Sequence, residues 1–330
     1  MNYSTSYVYF ASVIAYLESQ GISERLLHSH LSFWPEGEHD VRVPLESYET
    51  LLEVGARLTK DTLFGFHLGQ SILAADYGVL GYLVESSRDL KQAIEALLRY
   101  DALVANIGRA EFTEQQQAKI SWQPFSKSNS HVVLRNMTAW VAVTRQVLKS
   151  TLSPLEVRFA FDIPATNLPE LAAWFGCAIQ VNQSENAIVF DRHLLDIPFL
   201  SKNEMMHRTF LHLSDDALAM FAKTSGVKRQ VTMLLEAKSD LFNVNQVRVA
   251  AALNLSCRHL QRRLKEENTC FSILLDEERK RRLAPLLGVM PLALIAEKLG
   301  FAEQSSFNKA FKKWYGTSPN EYLKAKLKRH

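Results

Sequence analysis

Between residues 256 and 265 the polar and cationic side chains fall into a pattern suited to reading base edges. Cys257, Leu260 and Leu264 recur at helical spacing and would share one buried face, leaving Arg258, Gln261, Arg262 and Lys265 on the other side. Arginine can grip guanine through two parallel hydrogen bonds and glutamine can do the same for adenine, while lysine serves phosphate as a point charge. Ser256 stands where it would cap this helix, and His259 falls in the first turn with Arg258. All of these except the inner-face residues are candidate DNA-contacting residues. A partner helix is expected just upstream. There Asn243 or Asn245 can cap, Val249, Ala250 and Leu253 can pack, and Asn254 stands where a left-handed residue is wanted. Two short helices around a tight turn make a helix-turn-helix.

A second copy of the arrangement follows in residues 292–319. Ile295, Ala296 and Leu299 form an apolar stripe, Gly300 ends that helix, and Phe307, Ala310, Phe311 and Trp314 mark the inner face of the next. Ser305, Asn308, Lys309 and Lys312 fall on its outer side, with Glu303, Gln304 and Lys313 completing the candidate contact set. Gln304, Ser305 and Asn308 are assigned to bases, like Arg258, Gln261 and Arg262; Lys265, Lys309, Lys312 and Lys313 are assigned to phosphates. Ala302 is expected at the N-cap, where it has no side chain to offer and would weaken the helix start by about 1 kcal/mol.

One helix over residues 272–287 is expected to join the two units. At 1.5 Å per residue it would be about 24 Å long, enough to hold two reading helices along one DNA face whose major-groove openings lie about 34 Å apart. Pro285 falls late in this helix, where it removes a hydrogen bond and would kink or end it.

Charge supports the same reading. From Lys228 onward there are 20 Lys/Arg against 10 Asp/Glu, a surplus of +10, whereas residues 1–227 carry 18 against 25, or −7. A basic module on a mildly acidic one favours a polyanionic partner. At 330 residues and 47% hydrophobic content the chain is long enough for two domains with sizeable cores. It has no apolar run of membrane-spanning length and no basic leader, so a cytoplasmic protein without membrane contact is expected. Its three cysteines, Cys177, Cys257 and Cys270, are too far apart for a disulfide framework or a zinc site.

Other chemistry is poorly supported. His28 and His30 are a weak metal pair, and no metal or cofactor is expected. Gly78 and Gly81 lack the third glycine of a dinucleotide fingerprint, there is no G-x-S-x-G elbow, and Asp215 and Asp216 would point to different faces of a helix. An enzyme is therefore not expected.

Residues 1–223 read as an α+β regulatory domain and residues 224–330 as an all-α domain with two helix-turn-helix units joined by a long helix. In the first, helices are expected over 7–20, 23–27, 46–58, 63–68, 90–103, 131–149 and 168–176. An apolar segment covers 79–84, loops fall at 34–37 and 75–78, and a polar, Met-containing helix runs to about Lys223. Strands are expected on either side of the Glu114–Gln117 turn and over 42–44, 155–163, 179–182 and 187–191. Thr224-Ser225-Gly226 is the expected boundary.

The segments LSCRHLQRRLKEENTCF, ERKRRLA and IAEKLGFAEQSSFNKAFKKWYGTSPNEY together resemble the AraC/XylS family of bacterial transcription regulators. The likeness covers about residues 227–322, with Leu299-Gly300-Phe301, Ser306-Phe307, Ala310-Phe311-Lys312, Trp314, Gly316 and Ser318-Pro319 in the family's order. Through 76–82 and 90–100, residues 1 to about 200 are similar to the family's arabinose-binding N-terminal domain, a name that does not imply sugar specificity. The resemblance implies a sequence-specific regulator of double-stranded DNA, an activator working with RNA polymerase. Its N-terminal domain would bind a small-molecule effector, form a homodimer, or both; the alternative is a dimerising domain without ligand.

Overall fold

The computed structural model describes residues 3–35, 41–125, 129–224, 226–236, 238 and 240–327. Ser225 of the expected boundary, and Glu36 and Gly37 of the expected loop, lie outside them. The chain divides into two compact units, Met1–Leu218 and Ala219–His330.

The N-terminal unit is α+β and holds two sheets. β1 (Ser4–Ser6), β2 (Arg42–Pro44) and β3 (Ala105–Asn106) form an antiparallel three-stranded sheet in the order β2-β1-β3. β4 (Gly108–Glu114), β5 (Gln117–Pro124), β6 (Glu156–Arg158), β7 (Ala178–Gln180) and β8 (Asn186–Asp191) form the other, in the order β4-β5-β8-β6-β7, with only β6 and β7 parallel. The central strand β8 is buried without a break from Asn186 to Phe190, so both its faces are covered, and strict alternation is lost there.

Nine α-helices among the described residues begin in this unit: α1 (Tyr7–Ser19), α2 (Glu24–His28), α3 (Leu45–Thr59), α4 (Phe64–Ser71), α5 (Val79–Glu85), α6 (Leu90–Val104), α7 (Ser130–Leu148), α8 (Leu168–Phe175) and α9 (Glu204–Thr224), whose end lies beyond Leu218. Tyr9, Phe10, Val13, Ile14 and Leu17 make the buried face of α1, and Ser6 Oγ accepts from the Tyr9 backbone N–H to start it. Two expectations are corrected and one element is new. Residues 74–77 form a turn of 3₁₀ helix, not a loop, because Asp76 reaches back to accept from the Leu73 N–H. The strand expected over 155–163 pairs only over Glu156–Arg158. The strand Ser4–Ser6 was not anticipated, since three residues are too few to display alternation.

α7 runs through the core of this unit. It approaches α4 so closely that a Cβ on Gly65 would lie 2.2 Å from the His131 carbonyl oxygen. Fully buried Arg135 of α7 stacks on the Tyr9 ring, 3.6 Å from its centroid, and donates at 3.3 Å to both Tyr77 Oη and Ser12 Oγ. Between α5, α6, α7 and strands β5 and β8 lies a cavity of about 120 Å³, walled by side chains including Leu80, Ile94, Ile120, Val143 and Phe190.

The C-terminal unit is all-α: α10 (Val227–Glu236), α11 (Gln246–Ala252), α12 (Cys257–Glu266), α13 (Phe271–Leu286), α14 (Leu292–Lys298), α15 (Gln304–Tyr315) and α16 (Pro319–Leu327). It has two small cores. Leu260 and Leu264 of α12 pack with Val231, Val249 and Leu274, whereas Phe307 and Phe311 of α15 pack with Ile295, Leu299 and Leu283. Leu274 and Leu283 both belong to α13, so the linking helix contributes to each core. It continues through Pro285 and ends one residue later, at Leu286.

Candidate nucleic-acid interface

The first helix-turn-helix is defined by its caps. Asn245 Oδ1 accepts from the Arg248 N–H at 2.9 Å to start α11, and Ser256 Oγ accepts from the His259 N–H at 3.2 Å to start α12. Between them Asn254 takes the left-handed conformation, with φ 54°. Leu260 and Leu264 are completely buried, while Arg258, His259, Gln261, Arg262 and Lys265 are exposed. Two of these side chains have neighbours. Gln261 Nε2 donates to Gln246 Oε1 at 3.4 Å, and Arg262 lies 3.7 Å from Glu266, an exposed pair worth little in water.

The second unit is built differently. Ala302 was expected at the N-cap; Glu303 occupies that position, because the backbone stays extended there (φ −142°, ψ 149°), and its side chain makes no capping bond. The Glu303 carboxylate instead accepts from Ser305 Oγ at 3.0 Å. Gln304, Ser305, Lys309, Lys312 and Lys313 are exposed. Asn308 corrects its placement on the open face: it is half-buried, and its Oδ1 is enclosed with no hydrogen-bond partner among the described residues. Lys313 Nζ lies 3.9 Å from Asp276, which also accepts from the Trp314 indole N–H at 3.2 Å.

Several arginines in the basic segment hold the module together. Arg279 donates to the carbonyls of Leu299 and Gly300 at 2.9 and 3.1 Å and stacks on Phe301, 4.0 Å from the ring centroid. Arg282 donates to the Leu235 and Lys238 carbonyls, each at 2.8 Å. Linking helix α13 is thereby fastened to the turn of the second unit by one side chain and to the end of α10 by another. Burial alone would raise the pKa of Glu278, but Arg281 and Arg282, at 2.5 and 2.6 Å, hold it below the usual value. A count of charges treats these arginines as surplus for a polyanion; the i, i+3 and i, i+4 spacing of Glu278 to Arg281 and Arg282 was the available sign that they are paired.

The sequence profile of the arabinose-binding domain of AraC transcription regulator, N-terminal, matches residues 15–199, and that of a helix-turn-helix domain matches residues 249–325. The chain belongs to the AraC family of transcription regulators.

Among AraC-family proteins it is similar to the ornithine utilization regulator of Pseudomonas aeruginosa, 26% identical over 331 aligned residues covering 96% of this chain and 95% of that protein. It is also similar to the transcriptional regulator VqsM of the same organism, 21% identical and covering 78% of this chain and 82% of that one. The crystal structure of the transcriptional regulator CdpR, again from Pseudomonas aeruginosa, shares the fold with a TM-score of 0.50, 21% identity and coverage of 96% and 97%. These AraC-type relatives are transcriptional regulators, and regulators with this helix-turn-helix module bind DNA. Among the described residues no helix is long and apolar enough to cross a membrane, and no group of three or more His, Cys, Asp or Glu is placed to hold a metal ion.

Proposed function

We propose that this AraC-family regulator reads its operator chiefly with α12, uses α15 as a second foothold, and is set by a small molecule bound in the N-terminal unit. The observation that carries the reading is the capped α12 with Arg258, Arg262 and Lys265 exposed opposite a buried Leu260–Leu264 face. Arg258 and Arg262 take base edges together with Gln304 and Ser305, and Gln261 joins them by exchanging its bond to Gln246 for one to a base. Lys265, Lys309, Lys312 and Lys313 take phosphates. Asn308 supports the face from partly beneath it, and His259 and Glu303 border the two helix starts.

An effector is favoured over a purely dimerising N-terminal unit by its cavity, since a domain used only for association has no need of one. Self-association is supported by apolar side chains left in solvent, Leu200 at 72% exposure, Met205 at 80% and Leu213 at 51%. Activation through RNA polymerase is the mode carried over from the family resemblance. Footprinting the purified full chain on the DNA upstream of its own coding sequence, with and without candidate metabolites, tests the proposal. Protection of two segments on one DNA face, altered by one metabolite, is the expected result; protection no stronger than on random DNA would refute it.

A further inference from the structure

The cavity between α5, α6, α7 and the five-stranded sheet is walled chiefly by apolar side chains, and three of the polar ones, Tyr77, Thr144 and Arg145, already have partners. Tyr77 Oη accepts from Arg135 at 3.3 Å, and Thr144 Oγ1 donates to the Trp140 carbonyl at 2.8 Å. Arg145 is the wall's one arginine, and its Nε, Nη1 and Nη2 donate to the carbonyls of Leu152, Trp174 and Phe175 at 3.0, 2.9 and 3.0 Å. Its guanidinium also stacks on Trp174, 4.5 Å from the ring centroid. The remaining hydroxyl, Ser153, is exposed to solvent.

An ammonium entering this space would lose its water without meeting an opposite charge, a carboxylate would find only the Arg145 guanidinium, whose Nε, Nη1 and Nη2 already donate to carbonyls, and the hydroxyls of a sugar would outnumber the few polar groups on the wall. We infer that the cavity takes one small, uncharged, apolar molecule the size of a single ring or a short branched alkyl chain. Apolar protein cavities of about 150 Å³ hold benzene, and the 120 Å³ here is of that order. The inference rests on the sensor reading above and narrows it, since so apolar a wall disfavours a charged amino acid and a sugar alike.

Thermal denaturation of the full chain with toluene, benzoate and L-ornithine, each as the probe itself, tests the ligand class. Toluene should raise the midpoint, as any ligand confined to the folded form does, while benzoate, the same ring bearing a charge, and ornithine should not. Ala93→Leu, which fills space at the cavity wall, should weaken toluene binding by about tenfold, measured by titration calorimetry. Should that variant fail to fold, Val143→Leu, on another helix of the same wall, serves instead. Equal stabilisation by benzoate or ornithine, or no stabilisation by toluene, would overturn the inference. If toluene binds and the DNA footprint is unchanged, the ligand class stands and the sensor reading falls; if a charged metabolite alters the footprint and toluene does not bind, the reverse holds.

Discussion

Gly300 lies so close to Leu241 that a Cβ added to it would sit 2.1 Å from the Leu241 carbonyl oxygen. The glycine also holds φ at 72°, a left-handed value that costs other residues about 1–2 kcal/mol. The turn of the second helix-turn-helix therefore rests directly on backbone that leads into the first. Gly300→Ala meets both obstacles, and urea denaturation of the full chain followed by circular dichroism should show a loss of about 2 kcal/mol or more. DNA affinity should fall with it. An unchanged denaturation midpoint would show that the contact is not needed.

The two reading helices should respond oppositely to changes at their caps. Ser256→Ala removes the acceptor for the His259 N–H and should cost about 1 kcal/mol. Glu303→Ser supplies an acceptor where none is used and should gain a few tenths of a kcal/mol or more. Denaturation midpoints that shift in the same direction would contradict the caps described.

Arg262 and Lys312 are both exposed, but their proposed partners differ. Arg262→Ala should lower the preference for the operator over random DNA by about 1–3 kcal/mol. Lys312→Ala should weaken both DNAs alike and lower the dependence of binding on salt by roughly one phosphate contact. Titrations at several salt concentrations separate the two, and identical behaviour of the variants would remove the division between base and phosphate contacts.

The N-terminal unit should lose stability as pH rises above neutrality. His67 bonds to Asp61 and Glu170 at 2.7 Å each. Burial lowers its pKa, but the two carboxylates outweigh burial and bring it above the usual 6.5. Folding thus favours the protonated form. The contribution is complete below the unfolded value of about 6.5 and disappears as pH passes through the higher folded value. Thermal midpoints from pH 5.5 to 8.5 should record this decline, and His67→Gln should flatten that part of the profile.

The DNA-reading module was largely legible in the chain, because its helices are short, amphipathic and punctuated by Ser256, Asn254 and Gly300, whose effects are local. The three-stranded sheet was not, since β1 and β3 are three and two residues long and are specified by partners about 40 and 100 positions away. Arg279 and Arg282 entered only as part of the count of basic residues, for the same reason. Which of them meets a backbone carbonyl depends on how Leu299, Gly300 and Leu235 are brought against α13, and no local pattern records that. The enclosed Oδ1 of Asn308 likewise follows from tertiary packing, not from its place on a helical wheel.

The bond between the Trp314 indole and Asp276 gives the regulator a built-in optical reporter. Trp314 is the only tryptophan beyond residue 174, and its N–H is held by a carboxylate of the linking helix while Lys280 approaches its ring. The emission of that indole depends on these charges, so a movement of α15 relative to α13 changes its colour and intensity without any attached dye. With Trp34, Trp122, Trp140 and Trp174 replaced by phenylalanine, any shift of α15 against α13 on adding DNA would be visible in real time.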